Sequence, residues 1–218
     1  MVDHSHSHSA AQPVQTEGSL IRWAPYYDLV TNLMTFGQAA RLRKTTVDQA
    51  LIKPGDRVLD VGCGTGEVTL LAKISAKHGA VYGIDPAPEM IAVARKKAAR
   101  KGLEIDFRVG VIEALPFPDG SLDVVTSSLM MHHLPEDLKA RGLAEIYRVL
   151  KPGGRLLIAD FMRPTGSFLN HLFIAFTRHQ RLEKGIEDLQ ALLRGAGFSH
   201  IAQAHEKVLV IGFVRAIK

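Results

Sequence analysis

Val58-Leu-Asp-Val-Gly-Cys-Gly-Thr-Gly-Glu67, followed eighteen residues later by Asp85 in Tyr82-Gly-Ile-Asp85, decides how this 218-residue chain is read. Val58, Leu59 and Val61 are apolar with little polar interruption, as in a strand covered on both faces of a parallel sheet. Gly62, Gly64 and Gly66 follow at alternate positions, where a missing Cβ lets the chain turn sharply and lets a ligand approach the backbone. A helical pattern then begins near Glu67 and runs to Lys77, so its N-terminal N–H groups face the loop, an arrangement that favours an anionic ligand group. A second apolar run, Ala80 to Ile84, ends in one carboxylate, Asp85. A carboxylate there can accept hydrogen bonds from two vicinal ribose hydroxyls.

The spacing separates two nucleotide ligands. A dinucleotide fingerprint needs G-x-G-x-x-G, whose third glycine allows close helix–strand packing. Counted from Gly62 that third position is Glu67, and counted from Gly64 it is Thr69, so the fingerprint fails in both registers. A purely structural tight turn would leave the placement of Asp85 without a reason.

The rest of the chain reads as alternating elements. Helices are expected at about Leu20–Leu33 and Gln38–Leu51, then a strand at 57–61, a helix at 67–77, a strand at 80–84 and a helix at 87–101. A strand at 104–109, the loop 113–120 and a strand at 122–127 come next. Pro135 opens a helix that runs to Leu150, before the turn Lys151-Pro-Gly-Gly154. A strand at 155–161, a helix at 183–195 and strands at 199–204 and 207–215 complete the chain. This alternation implies an α/β, doubly wound parallel sheet. The last two strands are joined by too few residues for a crossover, so they are expected to be antiparallel neighbours.

Composition fits one domain over 19–218. The chain is 46% hydrophobic and 22% charged, enough for one core without disulfides. The single cysteine, Cys63, excludes an internal disulfide and suggests a cytoplasmic setting. No apolar run approaches the length of a transmembrane helix. Residues 1–18 carry His4, His6 and His8 between serines and little apolar content, and are expected to be a disordered tail. Those histidines either bind a metal weakly or belong to a segment appended for expression; no metal site is expected elsewhere. The net charge of +5 permits attraction to anionic partners without requiring one. Arg95, Lys96, Lys97, Arg100 and Lys101 lack the interleaved aromatic residues that nucleic-acid stacking needs, so no nucleic-acid partner is expected.

Four segments together resemble the class I methyltransferases that use S-adenosylmethionine (SAM). They are Pro54-Gly-Asp-Arg-Val-Leu-Asp-Val-Gly-Cys-Gly-Thr-Gly66, Gly83-Ile-Asp-Pro-Ala-Pro-Glu-Met90, Glu113-Ala-Leu-Pro-Phe-Pro-Asp119 and Leu150-Lys-Pro-Gly-Gly-Arg-Leu-Leu157. Tyr27-Asp-Leu-Val-Thr-Asn-Leu-Met-Thr-Phe-Gly37 resembles the N-terminal region of the ubiquinone/menaquinone biosynthesis C-methyltransferases, the UbiE-like family. The resemblance implies a Rossmann-like sheet of seven strands with one antiparallel strand near its edge, and N-terminal helices over the cofactor cleft. It implies SAM as cofactor and S-adenosylhomocysteine as its product. It places Asp60, Gly62, Cys63, Gly64, Thr65 and Gly66 around the methionine half, Asp85 and Pro86 at the ribose, Met90, Val111 and Ile112 at the adenine, and Ser128 beneath the methionine moiety.

The chain departs from that family at two places. Position 111, usually Asp or Asn, is Val111, which leaves the Ile112 N–H as the adenine's obvious partner and is expected to cost on the order of 1 kcal/mol of SAM affinity. Where the quinone enzymes carry Arg-Asn, this chain has His132-His133. Histidine titrates near neutral pH, so His132 is the candidate catalytic base and His133 and Tyr27 candidate acceptor contacts; the alternative is that a histidine only packs locally. Phe168, Leu169, Leu172, Phe173 and Phe176 form one helical stripe followed by Arg178, His179, Arg181 and Lys184. That stripe is either a helix packed on the core or a weak peripheral membrane contact.

The expected activity is methyl transfer to a small, apolar or aromatic, quinone-like acceptor. The rivals are N- or O-methylation of a lipid headgroup or other metabolite, and a non-catalytic SAM sensor. A single cysteine argues against arsenic as the acceptor.

Overall fold

The computed structural model describes residues 31–33, 35–162 and 185–218. The first expected helix falls mostly outside these residues; so do Tyr27 and the 167–184 stripe. Five helices are described: α1 (Ala39–Gln49), α2 (Glu67–Ala76), α3 (Pro88–Arg100), α4 (Glu136–Val149) and α5 (Leu189–Gly195). Seven strands form one sheet: β1 (Val58–Val61), β2 (Val81–Asp85), β3 (Asp106–Val109), β4 (Leu122–Ser128), β5 (Leu150–Phe161), β6 (Ser199–Gln203) and β7 (Ile211–Ile217).

Their order is β3-β2-β1-β4-β5-β7-β6, with β7 antiparallel to both neighbours and every other pairing parallel. The chain leaves β1 toward β2 on one side, while β4 pairs on the other. The order therefore reverses between β1 and β4, and a crevice at their carboxyl ends is where such sheets bind ligands.

The two faces of the sheet bury different sets. Leu59, Val61, Val125, Leu156, Ile158 and Val214 pack under Leu138, Leu143 and Ile146 of α4 and Leu189 and Leu193 of α5. On the other face Val58, Val124, Leu157 and Phe213 pack with Leu42 and Ala50 at α1 and Ala72 and Ala76 of α2. The sequence of α4 explains its place. Pro135 lacks an N–H and precedes the first turn, where Glu136 and Asp137 complement the helix dipole. Its buried residues, Leu138, Gly142, Ile146 and Val149, recur on one helical stripe.

Two boundaries differ from the sequence reading. β5 begins at Leu150 because the Lys151–Gly154 turn is absorbed into the sheet, with Gly153 N–H donating to Lys218 O at 2.9 Å. β7 begins only at Ile211: Leu209 has φ +55°, which turns the chain within an apolar run that alternation alone reads as strand. The final helix is also shorter than expected, because one 3₁₀ turn, Ile186–Asp188, precedes α5. No helix among the described residues is long and apolar enough to cross a membrane.

Candidate active site

The glycine loop joins β1 to α2 with Gly62, Gly64 and Gly66 all left-handed, at φ +70°, +51° and +83°. At Gly62 the requirement is double, since a Cβ there would overlap Met130 Cγ. Met130 thus presses against the loop from the segment that follows β4. Backbone bonds anchor the loop on β2: the N–H groups of Gly62 and Cys63 donate to Ile84 O at 2.8 and 2.9 Å. The Cys63 thiol is buried against Phe107, and burial pushes its pKa up, so it packs rather than reacts. Thr65 is also buried.

Asp85 ends β2 directly beside the loop. Its Oδ2 accepts the Gly64 N–H and its Oδ1 the Ala87 N–H, both at 2.9 Å. Burial raises its pKa, and the two N–H bonds pull it back down. A carboxylate offers about four lone-pair positions, so one remains on each oxygen. That is the number a vicinal diol fills, and the residues present therefore fit a ribose. Pro86 is half-buried in the turn that follows, and Met90 is buried against Ala87 with Val93 beside them, which supplies an apolar wall next to the carboxylate.

Asp60 does a different job. Its carboxylate is 1% exposed and accepts the Thr69 hydroxyl of α2 at 2.7 Å and the Thr126 hydroxyl of β4 at 2.8 Å. It ties strand, helix and neighbouring strand together beneath the loop, and burial lifts its pKa from 3.8 to about 6. Val111 is half-buried just past β3, whereas the Ile112 side chain enters the core against Gly142 of α4. The Ile112 side chain is thereby taken up by the core, which leaves its backbone at the end of the segment that follows β3.

Ser128 closes β4, half-buried and paired with Ala159; Leu129 then turns the chain at φ +55°. One turn of 3₁₀ helix, Met131–His133, follows. His132 is buried there, its Nδ1 2.7 Å from Asp160 Oδ1 and its backbone N–H donating to Asp160 Oδ2 at 3.0 Å. The Phe161 N–H donates to Oδ1 at 2.8 Å, and the Phe161 ring meets the His132 ring edge-on at 4.8 Å between centroids. The His133 ring lies 3.9 Å from that of His132, and burial together with His132 lowers the His133 pKa to about 4. His133 is accordingly neutral at pH 7.

Two features of this half were not singled out from the sequence. Asp160 ends the apolar run Leu156-Leu-Ile-Ala159, the same signature that marked Asp85. Met130 carries no comparable signal. The basic end of α3 is partly engaged inside the fold: Arg95 Nε donates to Phe107 O at 3.2 Å and Lys97 pairs with Glu67 at 2.6 Å. Among the described residues no cluster of His, Cys, Asp and Glu could hold a metal ion.

Comparison with known proteins agrees with this geometry. Residues 58–154 match the methyltransferase-domain family. A demethylmenaquinone methyltransferase of Thermus thermophilus is 45% identical over 141 residues, covering 65% of this chain and 63% of the relative. The chain thus spans less than two thirds of that relative's length. The ubiquinone/menaquinone biosynthesis C-methyltransferase UbiE of Yersinia enterocolitica is 29% identical over 220 residues, covering 89% and 87%. In three dimensions the cyclase SpnF superposes with a TM-score of 0.70 at 23% identity, covering 94% of this chain and 99% of that one. That likeness concerns the fold alone, and a cyclase on this fold shows that reaction is set by the site. Residues 58–154 thus match a methyltransferase domain, and over that stretch the chain is similar to SAM-dependent methyltransferases.

Proposed function

We propose that this chain binds SAM over the carboxyl ends of β1 and β4 and catalyses methyl transfer to a small, apolar, quinone-like acceptor. The observation that carries the reading is the Asp85–Gly64 arrangement, in which the carboxylate braces the glycine loop and keeps one acceptor position on each oxygen. Asp85 and Pro86 hold the ribose; Met90, Val111 and the Ile112 backbone border the adenine. Gly62 to Gly66 and Ser128 border the methionine half, with Asp60 bracing the loop from below. SAM, when bound, supplies a methyl group already activated by the sulfonium, so alignment of the acceptor accounts for much of the rate. The quinone character of the acceptor rests on the relatives named as demethylmenaquinone and ubiquinone/menaquinone methyltransferases. His132 takes the acceptor's proton, with His133 beside the acceptor; Tyr27 is assigned to the same acceptor by the sequence resemblance alone.

Calorimetric titration with SAM and an assay for S-adenosylhomocysteine test the reading together. Micromolar SAM binding that Asp85→Ala abolishes, with turnover of a short-chain reduced demethylmenaquinone, is the expected result. Turnover of an ethanolamine lipid instead would move the acceptor to the headgroup class. SAM binding without turnover of either would make the chain a sensor.

A further inference from the structure

The pair formed by His132 and Asp160 has more order than proton transfer by an isolated histidine needs. Both oxygens of Asp160 are committed to the turn that carries His132: Oδ2 to its backbone N–H at 3.0 Å, Oδ1 to its Nδ1 at 2.7 Å and to the Phe161 N–H at 2.8 Å. The two side chains are 6% and 4% exposed. A carboxylate only accepts, so the proton of a neutral His132 ring resides on Nδ1 and the lone pair on Nε2. Nε2 has no hydrogen-bond partner among the described residues. The Phe161 ring and the His133 ring flank the imidazole at 4.8 and 3.9 Å and restrict its rotation. The turn also starts against the glycine loop, because Met130 occupies the space beside Gly62.

We propose that Asp160 is the positioning residue of a His132 general base, holding the Nδ1–H tautomer and offsetting the imidazolium charge formed during turnover. The inference rests on the methyl-transfer reading above and narrows the acceptor to one that must lose a proton: a hydroxyl-bearing ring methylated at carbon or oxygen. In that step the acceptor atom bonds to the methyl carbon, the methyl–sulfur bond breaks with its electron pair left on sulfur, and the acceptor's proton passes to His132 Nε2. The charge that arrives on the ring meets the Asp160 anion 2.7 Å from Nδ1. Of the two titratable side chains in contact with His132, His133 is neutral at pH 7, which leaves Asp160 as the countercharge.

Nitrogen-resolved NMR of the histidine side chains, combined with measurement of kcat, tests this. In the full chain at pH 8 the His132 ring is expected to be protonated at Nδ1 only; in Asp160→Asn a large fraction moves to the Nε2–H form. The same variant should lose kcat by about 100-fold or more, within the range for a misplaced general base. SAM affinity should change less than threefold. Asp160→Glu, which keeps the charge, should recover part of kcat. An Nε2–H ring in the unaltered chain overturns the proposal, as does an unchanged tautomer in Asp160→Asn or a kcat within threefold of the parent. If Asp160→Asn does not fold, the tautomer of the unaltered chain and the kcat of Asp160→Glu still decide. A parent chain with the assigned tautomer that fails to methylate any hydroxyl-bearing ring supports the hold of Asp160 and overturns the acceptor reading instead.

Discussion

Replacing Asp60 by Asn should flatten the pH dependence of stability in a window that the structure defines. Asp60 is buried between Thr69 and Thr126, and its pKa rises from 3.8 to about 6 chiefly through burial, with the neighbouring Asp85 charge adding to it and the two hydroxyl bonds opposing it. Because the folded pKa lies above the unfolded one, the neutral form is the one the fold favours. The stability from this group is complete below pH 3.8 and is lost as pH rises through about 6. At about 1.4 kcal/mol per pH unit, the displacement corresponds to about 3 kcal/mol lost between the two ends of that window. The substituted carboxamide keeps an acceptor for one threonine and offers a donor to the other, whose hydroxyl can turn to accept. Asp60→Asn should therefore match the parent within about 1 kcal/mol at pH 5 and exceed it by about 1–2 kcal/mol at pH 8, the charge-assisted bonds it forgoes offsetting part of the gain. Urea unfolding at pH 5, 6.5 and 8, with equal m-values as the check on two-state behaviour, measures the difference. Parallel pH profiles for parent and variant would refute the reasoning, since they would mean that Asp60 titrates alike in the folded and unfolded chains.

Asp85→Asn should weaken SAM about 10- to 100-fold by removing charge-assisted acceptance, read by calorimetry, with little change in unfolding midpoint. For the parent, SAM affinity should fall on acidification earlier than an ordinary carboxylate predicts, because the Asp85 pKa is raised and the ionised form is the acceptor. Val111→Asp should tighten SAM about fivefold; unchanged binding would mean that the adenine does not reach position 111. Gly62→Ala should cost about 2 kcal/mol or more in urea unfolding, from φ +70° combined with the overlap of the added Cβ with Met130 Cγ. Ser127 is fully buried and its hydroxyl has no partner among the described residues, so Ser127→Ala should raise the unfolding midpoint slightly, worth about 1 kcal/mol; a loss of stability would show that the hydroxyl is satisfied.

The donor half of the site was legible in the sequence because its parts are local. Gly62 to Gly66 and Asp85 belong to one strand–loop–helix–strand unit, and the bonds that join them, Gly64 to Asp85 and Cys63 to Ile84, link neighbouring strands β1 and β2. Hydrophobic periodicity located all seven strands for the same reason. It failed where backbone dihedrals rather than side chains decide, as at Leu209, whose left-handed conformation delays β7 within an apolar run. The acceptor half is different in kind. His132 could be named from its place after β4, but its state depends on Asp160, twenty-eight residues away on β5. The apolar run ending in Asp160 carries the same pattern as the run ending in Asp85, and nothing in the pattern says which side chain each carboxylate meets. Sheet order supplies that: β4 pairs with β5 in the register Ser128↔Ala159, which sets Asp160 one step beyond the end of β4 and beneath the turn that follows it. Two carboxylates with one sequence signature thus acquire separate roles from their neighbours in the sheet, Asp85 facing backbone N–H groups with acceptor positions to spare, Asp160 facing an imidazole whose tautomer it selects.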